Sequence, residues 1–166
     1  GLGADGVEQS SVGARAGWTG SSARAVLLLT LFDATTEIDG FAFGRGPVDD
    51  ANQTQDSRGL QLAGRLGWEG TRWELDLTAS RSDQRLETLD PDGFTTFFGY
   101  RADRDEIDLQ ASLRGAATTL TGGIETRLEA ARTESRSSFG NRGFDDSTRT
   151  TGAFAHVSRE VSAGWH

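Results

Sequence analysis

Cysteine and lysine are both absent from the 166 residues, and proline occurs only twice. Without cysteine the chain can form neither a disulfide nor a thiolate metal site. Without lysine every basic side chain is an arginine, and acids interrupt each run of arginines, giving a formal net charge of −8. A surface that binds nucleic acid requires a basic stripe, so the composition argues against nucleic acid as a partner.

Apolar side chains, with glycine left out, make up 35% of the chain. The longest apolar segment, Ala25–Phe32, has the length of a strand and is too short for a transmembrane helix. A barrel with a polar interior needs no apolar core, because lipid covers its outside.

Catalytic motifs are missing as well. Neither His156 nor His166 has a serine or cysteine nucleophile motif beside it, and no HExxH or GxSxG motif occurs. Paired acids alternate with arginines in a way typical of a neutralised charge ladder rather than a glycosidase dyad: Glu74 and Asp76 follow Arg72, and Glu125 and Glu129 flank Arg127. We therefore expect no enzyme activity and no cofactor.

The clearest pattern that is present runs through Gly59–Asp83, where apolar and polar residues alternate on both sides of a short EGT turn. Side chains alternate between the two faces of a strand, so this pattern predicts a hairpin with one apolar and one charged face. A soluble sheet would turn the apolar face inward to a core, whereas an outer-membrane barrel would turn it outward to lipid.

The same alternation predicts about seven long antiparallel strands. Beside the two of the central hairpin they are Ser11–Trp18, Ala23–Glu37, Asp103–Arg114, Thr119–Glu134 and Ser147–Val161. Three short turns alternate with three segments that we predict as long loops, at Asp39–Asp56, Leu86–Tyr100 and Ser135–Asp146. Short turns on one side and long loops on the other are typical of an up-and-down transmembrane β-barrel. The strands also exceed the usual length of about 5–6 residues.

Aromatic residues mark both ends of this predicted sheet. The tryptophans beside the short turns predict a membrane-interface girdle: Trp18, Trp68, Trp73 and Trp165. A second aromatic group in the middle loop has two interpretations, an external girdle or a surface that contacts a ligand: Phe94, Phe97, Phe98 and Tyr100.

Acidic residues in the first long loop are weak calcium candidates. Asp49, Asp50 and Asp56 offer the oxygen ligands that Ca²⁺ prefers, but their spacing does not match an EF-hand loop. A solvated acidic loop is the simpler interpretation. We therefore predict no metal site and retain calcium only as an alternative.

Several segments together resemble the barrel of TonB-dependent outer-membrane receptors. They are Asp33–Phe43 with the GRGPVDD that follows it, the strand start Asp56–Leu60, and RADRDEIDLQASL followed by TTLTGGIETRLEAARTES. Members of this family are plugged barrels of about 22 strands. The resemblance implies that residues 1–166 form part of such a barrel, without its plug domain. It departs from the family in having no TonB box and no terminal aromatic residue.

The resemblance also implies a function. A receptor of this class lies in the bacterial outer membrane and imports a scarce nutrient, such as a metal chelate of the siderophore or cobalamin class. Its partners are outer-membrane lipid, the plug domain of the same chain, the TonB complex acting through that plug, and a small-molecule ligand. Two alternatives are a passive porin-type channel and a soluble β-sandwich binding module.

Overall fold

The computed structural model describes residues 6–38, 40–42, 46–48 and 53–159, and these form strands and turns only. Their nine strands are β1 (Val7–Thr19), β2 (Ala23–Glu37), β3 (Gly40–Ala42), β4 (Gly46–Val48), β5 (Thr54–Glu69), β6 (Trp73–Leu89), β7 (Thr95–Arg114), β8 (Thr118–Ser137) and β9 (Gly140–Arg159). Within the described ranges, no helix is long and apolar enough to cross a membrane. The all-β prediction is confirmed.

Seven of the strands form one antiparallel sheet in the order β1-β2-β5-β6-β7-β8-β9. Each main strand pairs with the next main strand along the chain, which confirms the up-and-down topology and the seven predicted strands. The strands β1 and β9 are the two edges, so the sheet is open and closure into a barrel remains a prediction. The strands β3 and β4 form a separate two-stranded hairpin between β2 and β5.

The three short turns share one geometry, which explains their similar sequences. Each begins with a glycine whose N–H donates to the carbonyl of the first residue of the next strand: Gly20 to Ala23 at 2.8 Å, Gly70 to Trp73 at 2.8 Å and Gly115 to Thr118 at 2.7 Å. The predicted short-turn side of the sheet is therefore confirmed.

Two of the three predicted long loops are wrong. Most of the segment 86–100 belongs to β6 and β7, which are joined by a turn over residues 90–94. Most of 135–146 belongs to β8 and β9, where only Ser138 and Phe139 separate the strands. Gly140 follows with φ of +114°, a conformation that favours glycine and allows this tight turn.

The cause of this error is a change in side-chain chemistry along the strands. Near the short turns one face is apolar and the other charged, so alternation identifies the strand. Farther along, both faces carry polar side chains, as in Arg81–Arg85, and the alternation disappears although the backbone continues to pair. Backbone hydrogen bonding, which hydrophobicity does not report, extends these strands to 17 residues in β6 and 20 in β7.

Nothing covers either face of the sheet within the described chain. None of its hydrophobic or polar side chains is buried, and many large apolar side chains are exposed. The sheet is held by its ladder hydrogen bonds and by contacts between neighbouring side chains on each face.

Candidate functional site

The register brings the apolar residues of all seven strands onto one face, in a continuous region that we call the apolar band. Its members are Val12, Ala14, Ala16 and Trp18 on β1; Ala25, Leu27, Leu29 and Leu31 on β2; Leu60, Leu62, Gly64, Leu66 and Trp68 on β5; Trp73, Leu75, Leu77 and Ala79 on β6; Ile107, Leu109, Ala111 and Leu113 on β7; Leu120, Gly122, Ile124, Leu128 and Ala130 on β8; and Ala153, Ala155 and Val157 on β9. We call this side of the sheet the band face.

The band is uncovered, and its length along the strand varies from one strand to the next. Its exposed large side chains range from Leu62 at 39% to Val12 at 64%, and none of its residues is buried. From Leu60 to Trp68 it extends about 27 Å along the strand, at about 3.4 Å per residue. Lipid-facing bands of outer-membrane barrels are about 25 Å tall.

Beyond the band, toward the β6–β7 turn, the same face becomes charged. Cross-strand ion pairs fill it, including Asp33–Arg58 at 2.8 Å and Asp83–Arg101 at 2.9 Å. The pKa of Arg101 is raised above its ordinary value, first by the hydrogen bond and charge of Asp103 and then by Asp83. The band face thus changes abruptly from apolar to ionic along β2, β5, β6, β7 and β8.

At the level of the band, the opposite face carries charged side chains on β2, β5, β6 and β7. Near the short turns Arg65 donates to Asp76 at 2.9 Å, and Arg24 reaches both Asp76 and Glu74 at 3.3 Å. Arg114 adds a bond to Glu74 at 2.6 Å. Asp76 is only 15% exposed and Glu74 only 24%, so these acids are partly shielded by the arginines that bind them.

A second group of ion pairs lies farther along this opposite face, on β7 and β8. Arg104 pairs with Glu106 and lies 3.8 Å from Glu129. Arg127 pairs with Glu125 at 2.8 Å and lies 3.4 Å from Glu106. The acid pairs that the sequence predicts as parts of a charge ladder therefore do lie among arginines. No two of these acids form a pair free of arginine contacts, as a glycosidase dyad would require.

Three apolar side chains of β2 break the polar character of the opposite face. Val26, Leu28 and Phe32 share the parity of Arg24, and Leu28 is 43% exposed. The Phe32 ring lies over Gly59, where an added Cβ would come within 2.0 Å of it. The apolar run in β2 thus places apolar side chains on both faces of the sheet, as its blurred alternation predicts.

A shallow basin of about 510 Å³ lies on the opposite face near the β6–β7 turn. Ala102 and Ala131 face each other across β7 and β8 and form its floor. Tyr100 and Phe144 lie on one side of it, and both are paired in register with Thr133. Its polar lining includes Gln84, Arg104, Glu129 and Asp146. Aromatic rings beside a few polar groups are typical of small-molecule sites.

The four aromatic residues of the predicted ligand loop separate into different environments. Phe98 and Tyr100 lie on the opposite face, and Tyr100 lines the basin. Phe97 lies on the other parity, with the Arg136 guanidinium 4.9 Å from its ring centroid. Phe94, in the turn, contacts Phe139 with ring centroids 4.5 Å apart. They are not one cluster, because neighbouring strand residues point to opposite faces.

The predicted tryptophan girdle is partly within the described ranges. Trp18, Trp68 and Trp73 lie at the short-turn end of the band, exposed by 60%, 56% and 43%. The rings of Trp68 and Trp73 contact each other across their turn at 6.0 Å between centroids. Trp165 lies outside the described residues. A role at a membrane interface remains a prediction.

The calcium alternative also falls mostly outside the described residues, which do not include Asp49 or Asp50. Asp56 lies in β5 and accepts a hydrogen bond from the Thr35 hydroxyl at 2.6 Å. Within the described ranges there is no group of three or more His, Cys, Asp or Glu side chains that could hold a metal ion. The calcium interpretation remains a prediction.

Two features were not recognised from sequence. The basin unites residues of β6, β7, β8 and β9, and a row of arginines on the band face unites four strands. Both depend on the register between strands. The pattern of residues within one strand does not predict that register where apolar and polar residues no longer alternate. A register aligned from the three glycine turns would have revealed them.

Comparison with known proteins identifies no family for this chain. No family model matches the chain, and neither a curated protein nor a solved structure matches it significantly. The fold therefore defines only a class of architecture, an open seven-stranded antiparallel sheet with one apolar band.

Proposed function

We propose that the chain forms part of the wall of an outer-membrane β-barrel, with the apolar band on lipid and the opposite face toward the interior. The observation that supports this proposal is the difference in chemistry between the two faces of the sheet. The band crosses all seven strands and is uncovered, whereas the opposite face carries clustered ion pairs such as those of Asp76 with Arg24 and Arg65. That polarity is expected of a wall with lipid outside.

A soluble sandwich is less well supported by the same geometry. Such a sheet would place its leucines against a second layer, since burying apolar area contributes about 25 cal/mol per Å². The described chain supplies no such layer. Lipid acyl chains would cover the whole band without one.

Within barrels, we assign the wall to a TonB-dependent receptor rather than to a passive channel. The receptor assignment comes from the sequence segments that resemble this family. The apolar side chains Val26 and Leu28 on the opposite face support it, because they would be uncovered in a water-filled pore. A plug domain inside the barrel would cover them.

In this function the wall surrounds a plug and its outer end meets the nutrient. The basin beside Tyr100 and Phe144 lies toward the end of the strands away from the tryptophans, the outer side in this orientation. Import of a scarce nutrient such as a metal chelate would then use energy that the TonB complex transmits to the plug. The chain contributes wall and ligand contact and performs no catalysis.

The test compares the chain in plain buffer with the chain in detergent micelles. Circular dichroism reports β-structure and light scattering reports particle size. We expect aggregation in buffer and recovery of β-structure in micelles, because the band then has an apolar partner. A compact, β-structured monomer in plain buffer would overturn the proposal in favour of a soluble module.

A further inference from the structure

On the band face, four arginines on four consecutive strands stand directly opposite one another. Arg58 pairs in register with Arg85, Arg85 with Arg101, and Arg101 with Arg132. At about 4.8 Å between strands the row is about 14 Å long. We call these four residues the arginine row.

The row contradicts the usual rule for cross-strand pairs, under which like charges directly opposite each other are destabilising. Acids lie two positions away along the strands, at Asp83, Asp103 and Glu87, and Asp145 on β9 stands in register with Arg132 at the end of the row. A two-residue shift of β6 against β7 would place Arg101 opposite Asp83. The observed register instead aligns the four positive charges, and departures from local rules are expected at functional sites.

Neighbouring acids hold the arginines without using all of their donors. The contacts are Arg58 Nε to Asp33 at 2.8 Å, Arg85 Nε and Nη2 to Glu87 at 3.0 and 2.5 Å, and Arg101 Nη2 to Asp83 at 2.9 Å and Nε to Asp103 at 3.3 Å. All of them use Nε or Nη2. The Nη1 groups take no part in these contacts.

The side chains of the row are also accessible. Arg58 is 68% exposed, Arg85 59% and Arg101 56%. Arg132 is exposed and makes no ion pair with any described residue. The row therefore presents oriented guanidinium groups with free donors, and a guanidinium binds phosphate oxygens in a planar, often bidentate arrangement.

The position of the row relative to the apolar band indicates the source of the phosphate. Arg58 is two residues beyond Leu60, and Arg132 is two residues beyond Ala130. On β6 and β7 the row lies six residues beyond the last band residue. If the band lies in lipid, as proposed above, the row lies at the level of the headgroups or just outside them, on the side away from the tryptophans.

We infer that the arginine row binds phosphate groups of the lipid that surrounds the wall. This inference depends on the proposed membrane function, because it requires the band to lie in lipid. The adjacent acids orient the guanidinium groups and reduce their mutual repulsion. They also weaken anion binding, so neutralising Glu87 by Glu87→Gln should raise the amount of bound lipid.

The experiment measures lipid retention by native mass spectrometry. The full 166-residue chain is folded in mixed micelles that contain equal amounts of phosphatidic acid and phosphatidylcholine. We expect preferential retention of phosphatidic acid. The double variant Arg85→Ala/Arg101→Ala should lower that preference about 25-fold, since each arginine near an anionic surface contributes about fivefold.

Matched controls separate the row from general charge and from misfolding. Arg65→Ala/Arg127→Ala removes two arginines from the opposite face and should leave the preference unchanged. Arg132→Ala removes a row member that has no ion pair with described residues, so it tests the row where the fold is least disturbed. Circular dichroism is recorded for every variant.

Three results would overturn the inference. In the first, Arg85→Ala/Arg101→Ala retains phosphatidic acid with the same preference as the wild type. In the second, Arg65→Ala/Arg127→Ala loses as much of that preference as the row double variant. In the third, inorganic phosphate at the same concentration displaces the bound lipid completely. The last would assign the row to a dissolved anion. Failure of the wild-type chain to gain β-structure in micelles would instead show that the membrane function is wrong, and the inference would fall with it.

Discussion

Individual glycines differ in the space that an added side chain would have. At Gly123 an added Cβ would lie 2.8 Å from the Leu109 carbonyl oxygen and 2.6 Å from the Phe154 ring. At Gly152 nothing lies within 4 Å of the same position. The two sites lie on adjacent strands and have no positive φ, so they differ mainly in the space around them.

We predict that Gly123→Ala lowers the free energy of unfolding by about 1–3 kcal/mol, because the new methyl group overpacks against backbone and ring. Gly152→Ala should change it by less than about 0.5 kcal/mol. Urea unfolding in micelles, followed by tryptophan fluorescence, measures both values. Equal effects would contradict the close approach of β7, β8 and β9 at Gly123.

Individual side chains also explain why the aromatic residues that the sequence groups in one loop lie on two faces of the sheet. Sequence placed Phe97, Phe98 and Tyr100 together because they are close along the chain. In an extended strand, consecutive side chains point to opposite faces, so residues that are adjacent in sequence do not share a surface. Only residues of one parity, such as Phe98 and Tyr100, share a surface.

At the scale of a strand, β2 carries apolar residues on both faces. Leu27 belongs to the apolar band and is 50% exposed, whereas Leu28 faces the other way and is 43% exposed. The two residues have similar exposure and adjacent positions. They differ in the environment that each face would meet in a membrane.

We predict that Leu27→Arg costs about 2–4 kcal/mol of stability in lipid bilayers, the usual cost of a lipid-facing arginine near the midplane. Leu28→Arg should cost far less, because it joins a face that already carries Arg24 and Arg65. Denaturant unfolding in phospholipid vesicles gives both values. Similar losses at the two positions would show that neither face lies on lipid.

The long strands show a second element-scale effect. β7, β8 and β9 each have 20 residues, although about 9–11 are enough to cross the hydrocarbon. The turn-side halves of all three strands carry the apolar band, and the far halves of β7 and β8 carry ion pairs on the band face. In the proposed wall the far halves extend beyond the lipid, where charged side chains are solvated and the ladder hydrogen bonds alone maintain the strand.

For the whole molecule, the tryptophans define the orientation in a bilayer. Trp18, Trp68 and Trp73 all lie at the short-turn end of the band and are exposed. We predict that brominated phospholipids quench their fluorescence, most strongly when bromine is near the headgroup, because interfacial aromatics lie at that depth. The measurement uses Trp165→Phe, which removes the one tryptophan outside the described residues.

A water-soluble quencher supplies the control for that measurement. Acrylamide should quench the same tryptophans strongly in buffer and weakly in bilayers. If acrylamide quenches equally in both and the brominated lipids have no effect, the tryptophan end of the band does not contact lipid.

The sequence by itself determined the all-β class, the seven main strands, the three short glycine turns and the existence of an apolar face. Each follows from local chemistry: alternation over a few residues, or the conformational freedom of glycine at a turn. Strand ends beyond the apolar band were missed, because hydrophobicity no longer alternates there.

Only the tertiary structure decided which residues of different strands meet. The apolar band across seven strands, the basin between Tyr100 and Phe144, and the arginine row all require the register of every intervening pair. A shift of one residue in any pair would move an entire strand's side chains to the other face. Register is set by ladder hydrogen bonds and turn geometry acting together, and so it belongs to the assembled sheet.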